Sequence, residues 1–186
     1  SEIKMGSTGP GGLPYVVGAM LGSQGEFEVT PVPFDGDGPA ITALLGGHVD
    51  FLPSGFTATA EHIRSGRLIA LAVVNDEEIA LLPGVPPITQ DYPAFSKFLP
   101  WGPFYGVFVN KDTPEAVKRR LTDAFYTGAS DPKFQKFVDD FGAIPMNVSG
   151  EEADKFLDKW QAVTTWLLHD AGATKISPEQ FAIPRP

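Results

Sequence analysis

From Ile3 to Val74 the chain alternates between two apolar periods, and that alternation restricts its fold more than any other feature. Strand-like runs at Ile3–Ser7, Phe27–Pro33, Val49–Leu52 and Leu68–Val74 are separated by helix-like runs at Leu13–Leu21, Pro39–Leu45 and Phe56–Arg64. Repeated strand–helix order predicts a mostly parallel sheet with helices on its faces, because a parallel neighbour is reached only through a crossover. Gly46 and Gly47 punctuate the end of the second helix and Gly66 that of the third. The fold class is therefore α/β.

The bend between the first strand and the first helix is Gly6, Ser7, Thr8, Gly9, Pro10, Gly11 and Gly12. Glycine lets the backbone turn sharply and aim several N–H groups at one point, and the helix that follows adds its positive end, so the bend suits an anion. A second bend, Gly36, Asp37, Gly38, Pro39 and Ala40, occupies the corresponding place before the next helix. There Pro39 presets the backbone without costing a useful donor. Both bends stand where the strands of an open α/β sheet release ligand-binding loops. A plain turn is the alternative reading for each. Neither is a nucleotide loop: the first lacks the Lys-Ser/Thr ending of a P-loop, and Pro14 stands where a dinucleotide fingerprint needs its last glycine.

A chain of 186 residues buries roughly 70% of its unfolded surface, enough for one core or two small lobes. Its net charge is −9, with no Lys or Arg stripe along a helix, which argues against nucleic acid or an anionic membrane as a partner. The same charge opposes an anionic ligand at long range, so backbone dipoles must outweigh it at the site. The absence of cysteine removes disulfides and thiol chemistry together. His48, His62 and His169 lack the spacing of metal ligands, so neither a metal nor a cofactor is expected. Ser54 lacks the preceding glycine of a nucleophile elbow; it either caps the helix at Phe56 or turns its hydroxyl to a ligand. No catalytic constellation emerges.

Six prolines (Pro83, Pro86, Pro87, Pro93, Pro100 and Pro103) mark a crossover, where a hinge is expected. Beyond it, Thr113 with Pro114 and Asp131 with Pro132 read as helix starts, Gly142 as a stop, and Ser149 to Glu152 as a capping box. Apolar stripes follow: Val117, Leu121 and Phe125, then Phe134, Phe137 and Phe141, then Phe156, Trp160, Val163 and Leu167. One strand at Tyr105–Val109, with Ile144–Asn147 as a second candidate, accompanies these three helices, less sheet than a layered lobe normally holds. Trp101, Phe104, Tyr105 and Phe34 belong either to a cleft or to the core.

Five blocks stand in a specific order: Gly6–Gly12, Val32–Ala40, Ala43–Asp50, Gly66–Val73 and Leu82–Pro87. Together with Trp101-Gly102 and Asn110–Pro114, they span nearly the whole chain, which resembles the substrate-binding proteins of tripartite tricarboxylate transporters, the Bug-type periplasmic receptors. The resemblance implies a type II periplasmic-binding-protein-like fold: residues 1–100 as the second, ligand-binding sheet lobe, and 101–186 returning to an incomplete first lobe. It implies that the ligand is held by Ser7, Thr8, Gly9, Gly11 and Gly12 from one bend and Gly36, Asp37, Gly38, Pro39 and Ala40 from the other, with Phe34 and Ser54 as further candidates. The family commonly carries a basic residue where Asp35 stands and a small one where Asp37 stands. Asp37 would then either point away or meet a cationic group of a zwitterionic ligand.

The function so implied is a non-enzymatic extracytoplasmic receptor, periplasmic in location, that captures a small carboxylate and delivers it to membrane permease subunits. With the first lobe's opening part and a signal peptide not in this sequence, weak ligand binding is expected of these residues alone. The exposed helix faces point to association of copies into a homo-oligomer. Two other classes fit the same fold: an effector-sensing domain like those of LysR-type regulators, and a fragment of an enzyme acting on a small anionic metabolite.

Overall fold

Parallel pairing needs two extended segments with unobstructed amides, and among the described residues the chain supplies it once as a ladder. In a computed structural model, which describes residues 3–23 and 28–186, β1 (Ile3–Ser7) pairs with β2 (Val29–Pro33), Ile3 opposite Val29 and Ser7 opposite Pro33. Phe27, the expected first residue of the second strand, lies outside the described residues. β2 holds Pro31 and Pro33, which cannot donate to a ladder, and it lies at the sheet edge, as such residues require.

On the other side of β1 the expected strand Val49–Leu52 is reduced to a single parallel bridge between Met5 and Phe51. The Asp50 amide donates to the Lys4 carbonyl at 2.8 Å, but the Lys4 amide donates to the Asp50 carboxylate at 2.7 Å. A side chain thus takes the donor that a longer ladder would use. Leu68–Val74 likewise forms no strand; only Val73 bridges to Pro87. Ile69 and Leu71 are 84% and 75% exposed, so the β-like composition there lacks the partner that turns such a run into a strand.

Helices α1 (Leu13–Gly22), α2 (Asp37–Leu45) and α3 (Phe56–Arg64) fall close to the expected positions, α2 starting two residues early. The N-cap of α3 is Gly55, not Ser54, whose hydroxyl instead donates to the Gly55 carbonyl at 3.3 Å. The proline-rich segment contains a short α4 (Ile88–Asp91) and a 3-10 turn over Pro93–Phe98, neither of which the sequence reading placed.

The chain divides into two compact units, residues 1–102 with 158–186 and residues 103–157. The core of the first is built by Val16 and Met20 of α1, Phe95 and Phe98 of the 3-10 turn, and Val163 and Leu167 of α7 (Gly150–Asp170). Phe95 and Phe98 meet edge to face at 5.8 Å. Trp101 is packed there rather than loose: it stacks on Trp160 and donates to the Thr164 hydroxyl at 2.8 Å. The C-terminal segment closes on the same helix, with the Trp166 indole N–H donating to the carbonyls of Ile183 and Pro184. The Arg185 guanidinium lies over the Trp166 ring at 3.9 Å and donates to both Asp170 oxygens, which raises its pKa above the usual value.

The second unit contains α5 (Glu115–Ala129), α6 (Pro132–Phe141) and the opening of α7. At α6 the local signals hold in full: the Asp131 carboxylate accepts from the amides of Lys133 and Phe134, Pro132 follows, and Gly142 ends the helix at φ 78. At α5 the N-cap is Pro114, without the side-chain cap expected of Thr113. Ser149 bonds the Tyr126 hydroxyl at 3.2 Å, a contact across this unit rather than within a capping box. Tyr105–Val109 and Ile144–Asn147 are not strands. Tyr105 is 82% exposed while its ring touches Phe141 at 6.1 Å, edge-on.

Candidate functional site

Two parallel neighbours end side by side, so the bends that follow them emerge on one edge of the sheet. The Phe34 amide donates to the Ser7 carbonyl at 2.8 Å, which extends the pairing one step past the ladder and ties the two bends together. The first bend turns through Gly9 and Gly11 at φ 91 and 85, values an L side chain rarely adopts. The second reverses at Gly36, φ 100 and ψ 177, directly before α2.

Between them lies an open cleft of about 520 Å³ lined by Thr8, Gly9, Pro33, Phe34, Asp35 and Pro39. This volume falls within the usual range of small-molecule sites. Of the candidates read from the sequence, the structure brings Thr8, Gly9, Phe34 and Pro39 to this cleft. Gly11, Gly12, Gly36, Asp37, Gly38 and Ala40 belong to the bends and helix starts beside it, with Ala40 buried. Ser54 is not among the lining residues.

The hydrogen bonds separate two kinds of bend residue. Ser7 is 1% exposed and its hydroxyl accepts the Gly9 amide at 3.2 Å, so this side chain closes the bend upon itself. The Gly12 amide donates to Gly9 and the Gly36 amide to Phe34, which shapes each turn from within. Among the described residues no hydrogen bond engages the amides of Thr8, Gly11 or Asp35. The first turns of α1 and α2 add amides that a helix cannot pair internally. Neither helix start has a side-chain cap.

Pro33 and Asp35 also line the cleft, although neither is among the ligand-binding candidates of the sequence; Asp35 is the charged one of the two. It precedes Gly36, and of the two acidic residues flanking that glycine it is the one that lines the cleft. No local sequence signal distinguishes it from Asp37.

The chain matches the family of Tripartite tricarboxylate transporter family receptors over residues 1–172, and it belongs to that family. The family is one of solute receptors, not enzymes. A Pseudomonas knackmussii relative, the UPF0065 protein in the clcB-clcD intergenic region, is 30% identical over 152 residues, 78% of this chain and 88% of the relative. Among solved structures, the periplasmic binding protein BugD is 25% identical with a TM-score of 0.64, covering 94% of this chain and 58% of its own. A protein of R. palustris solved with adipate has the same fold at 17% identity and a TM-score of 0.64, covering 92% of this chain and 56% of that one. The chain thus spans little more than half the length of these solved relatives. Such neighbours define the fold as that of periplasmic binding proteins.

Proposed function

We propose that this chain carries the ligand-holding sheet lobe, residues 1–100, of an extracytoplasmic receptor. On this reading it captures a small carboxylate in the periplasm and delivers it to the permease subunits of a tripartite transporter. The observation that supports this most directly is the cleft itself: two bends at the carboxyl ends of adjacent parallel strands border one space, with unengaged amides at Thr8, Gly11 and Asp35. Backbone amides at helix starts hold carboxylates without a cationic side chain, which suits a chain of net charge −9. In this reading Ser7, Gly9, Gly12 and Gly36 set the turns, Phe34 and Pro39 wall the space, and Thr8 and Gly11 donate. Asp37, Gly38 and Ala40 present the start of α2.

Amide NMR on the chain titrated with adipate tests it, because chemical shifts register weak binding residue by residue. The amides of Thr8, Gly11 and Asp35 are expected to move together and saturate. Shifts confined to other regions, or none at millimolar adipate, citrate and 5-aminopentanoate, would refute the reading.

A further inference from the structure

We propose that Asp35 makes the site select ligands that carry a positive charge as well as a carboxylate, that is, amino acids or other zwitterionic carboxylates. The inference rests on the cleft being the ligand site and adds the chemistry of the ligand's second group.

Among the described residues the lining is one hydroxyl residue, one glycine, two prolines, one phenylalanine and one acidic residue, so Asp35 is the sole charged residue of that set. Among the described residues neither a hydrogen bond nor an ion pair engages that carboxylate. Asp50, by contrast, is occupied by the Lys4 amide. Asp37 lies in the first turn of α2, where the helix dipole accommodates a negative charge, and it does not line the cleft. The structure therefore moves the cation-recognising role from Asp37 to Asp35.

Two ends of a ligand meet different surroundings here. A carboxylate finds amides, and an apolar stem finds Phe34, Pro33 and Pro39. A second carboxylate held about 4 Å from Asp35 would lose a factor of about 5 in affinity in fully wet surroundings and about a thousand at an effective dielectric of 20. An ammonium there gains on the same scale. Because Asp35 is exposed, the smaller figure governs.

Adipate and 5-aminopentanoate share a carboxylate and four methylenes and differ only at the far end. Titrated against the chain, 5-aminopentanoate is expected to bind about 5- to 20-fold more tightly than adipate. Asp35→Asn should bring the ratio to within about twofold, whereas Asp37→Asn should leave it unchanged. Adipate binding the unaltered chain as tightly as 5-aminopentanoate, with cleft amides shifting for both, would overturn the inference while leaving the site intact. A ratio that follows Asp37 and not Asp35 would overturn the assignment of the residue. Failure of both compounds to shift the cleft amides would remove the site reading and this inference with it. Circular dichroism of each variant shows that it retains the fold.

Discussion

Two glycines separated by one residue should respond to alanine with opposite signs. A Cβ at Gly36 or Gly38 would meet no atom within 4 Å, so neither substitution is limited by space. Backbone conformation separates them. Gly36 holds φ 100 and ψ 177, a region open essentially to glycine alone, and forcing an L residue into it costs about 1–3 kcal/mol. Gly38 lies inside α2 with no positive φ, and alanine there stabilises by about 0.5–1 kcal/mol because it narrows the unfolded ensemble. The two variants should therefore differ by about 1.5–4 kcal/mol. With a urea dependence near 2 kcal/mol per molar, their unfolding midpoints should separate by about 0.75–2 M, Gly36→Ala below the unaltered chain and Gly38→Ala above it. Urea titration followed by circular dichroism reads the difference. Equal shifts of one sign would refute the view that the bend before α2 is held by a conformation only glycine accepts.

Phe95→Ala removes a fully buried ring from the core of the first unit and should cost about 3–5 kcal/mol by urea unfolding; a loss under 1 kcal/mol would mean that α1 and α7 pack without it. Asp131→Ala deletes the acceptor for two amides at the start of α6 and should cost about 1 kcal/mol, read as faster amide exchange at Lys133 and Phe134 with α5 unaffected. Arg185→Ala uncovers the Trp166 ring and frees Asp170, so the indole emission should shift to the red, while the amides of Thr8 and Asp35 keep their chemical shifts.

What the sequence makes legible here is local. Asp131, Pro132 and Gly142 each act within a turn of their own position, and both glycine bends lie where their composition puts them. Pairing is not local. Tyr105–Val109 and Leu68–Val74 have the composition of strands, yet among the described residues the first run pairs with nothing and the second only through the bridge from Val73 to Pro87, and the apolar side chains of Ile69 and Tyr105 stay open to solvent. Val49–Leu52 fails for a subtler reason, since the Asp50 side chain competes for the very amide a ladder needs. The segment around Ile88 and Phe95 is too short and too rich in proline for a helical period to show. At the candidate site, the position of the bends follows from glycine and proline, but that Asp35 and not Asp37 lines the cleft has no signal in the sequence around them. The clasp of Trp166 by Ile183, Pro184 and Arg185 joins residues beyond the reach of a single turn or helix repeat and has no sequence signature.

The bond from the Phe34 amide to the Ser7 carbonyl fastens one bend to the other before any guest arrives. On the proposed reading, a ligand in the cleft meets one joined lip instead of two independent fingers. Little freedom is left to surrender on contact, so even a ligand of few atoms can be held by grips that each contribute modestly.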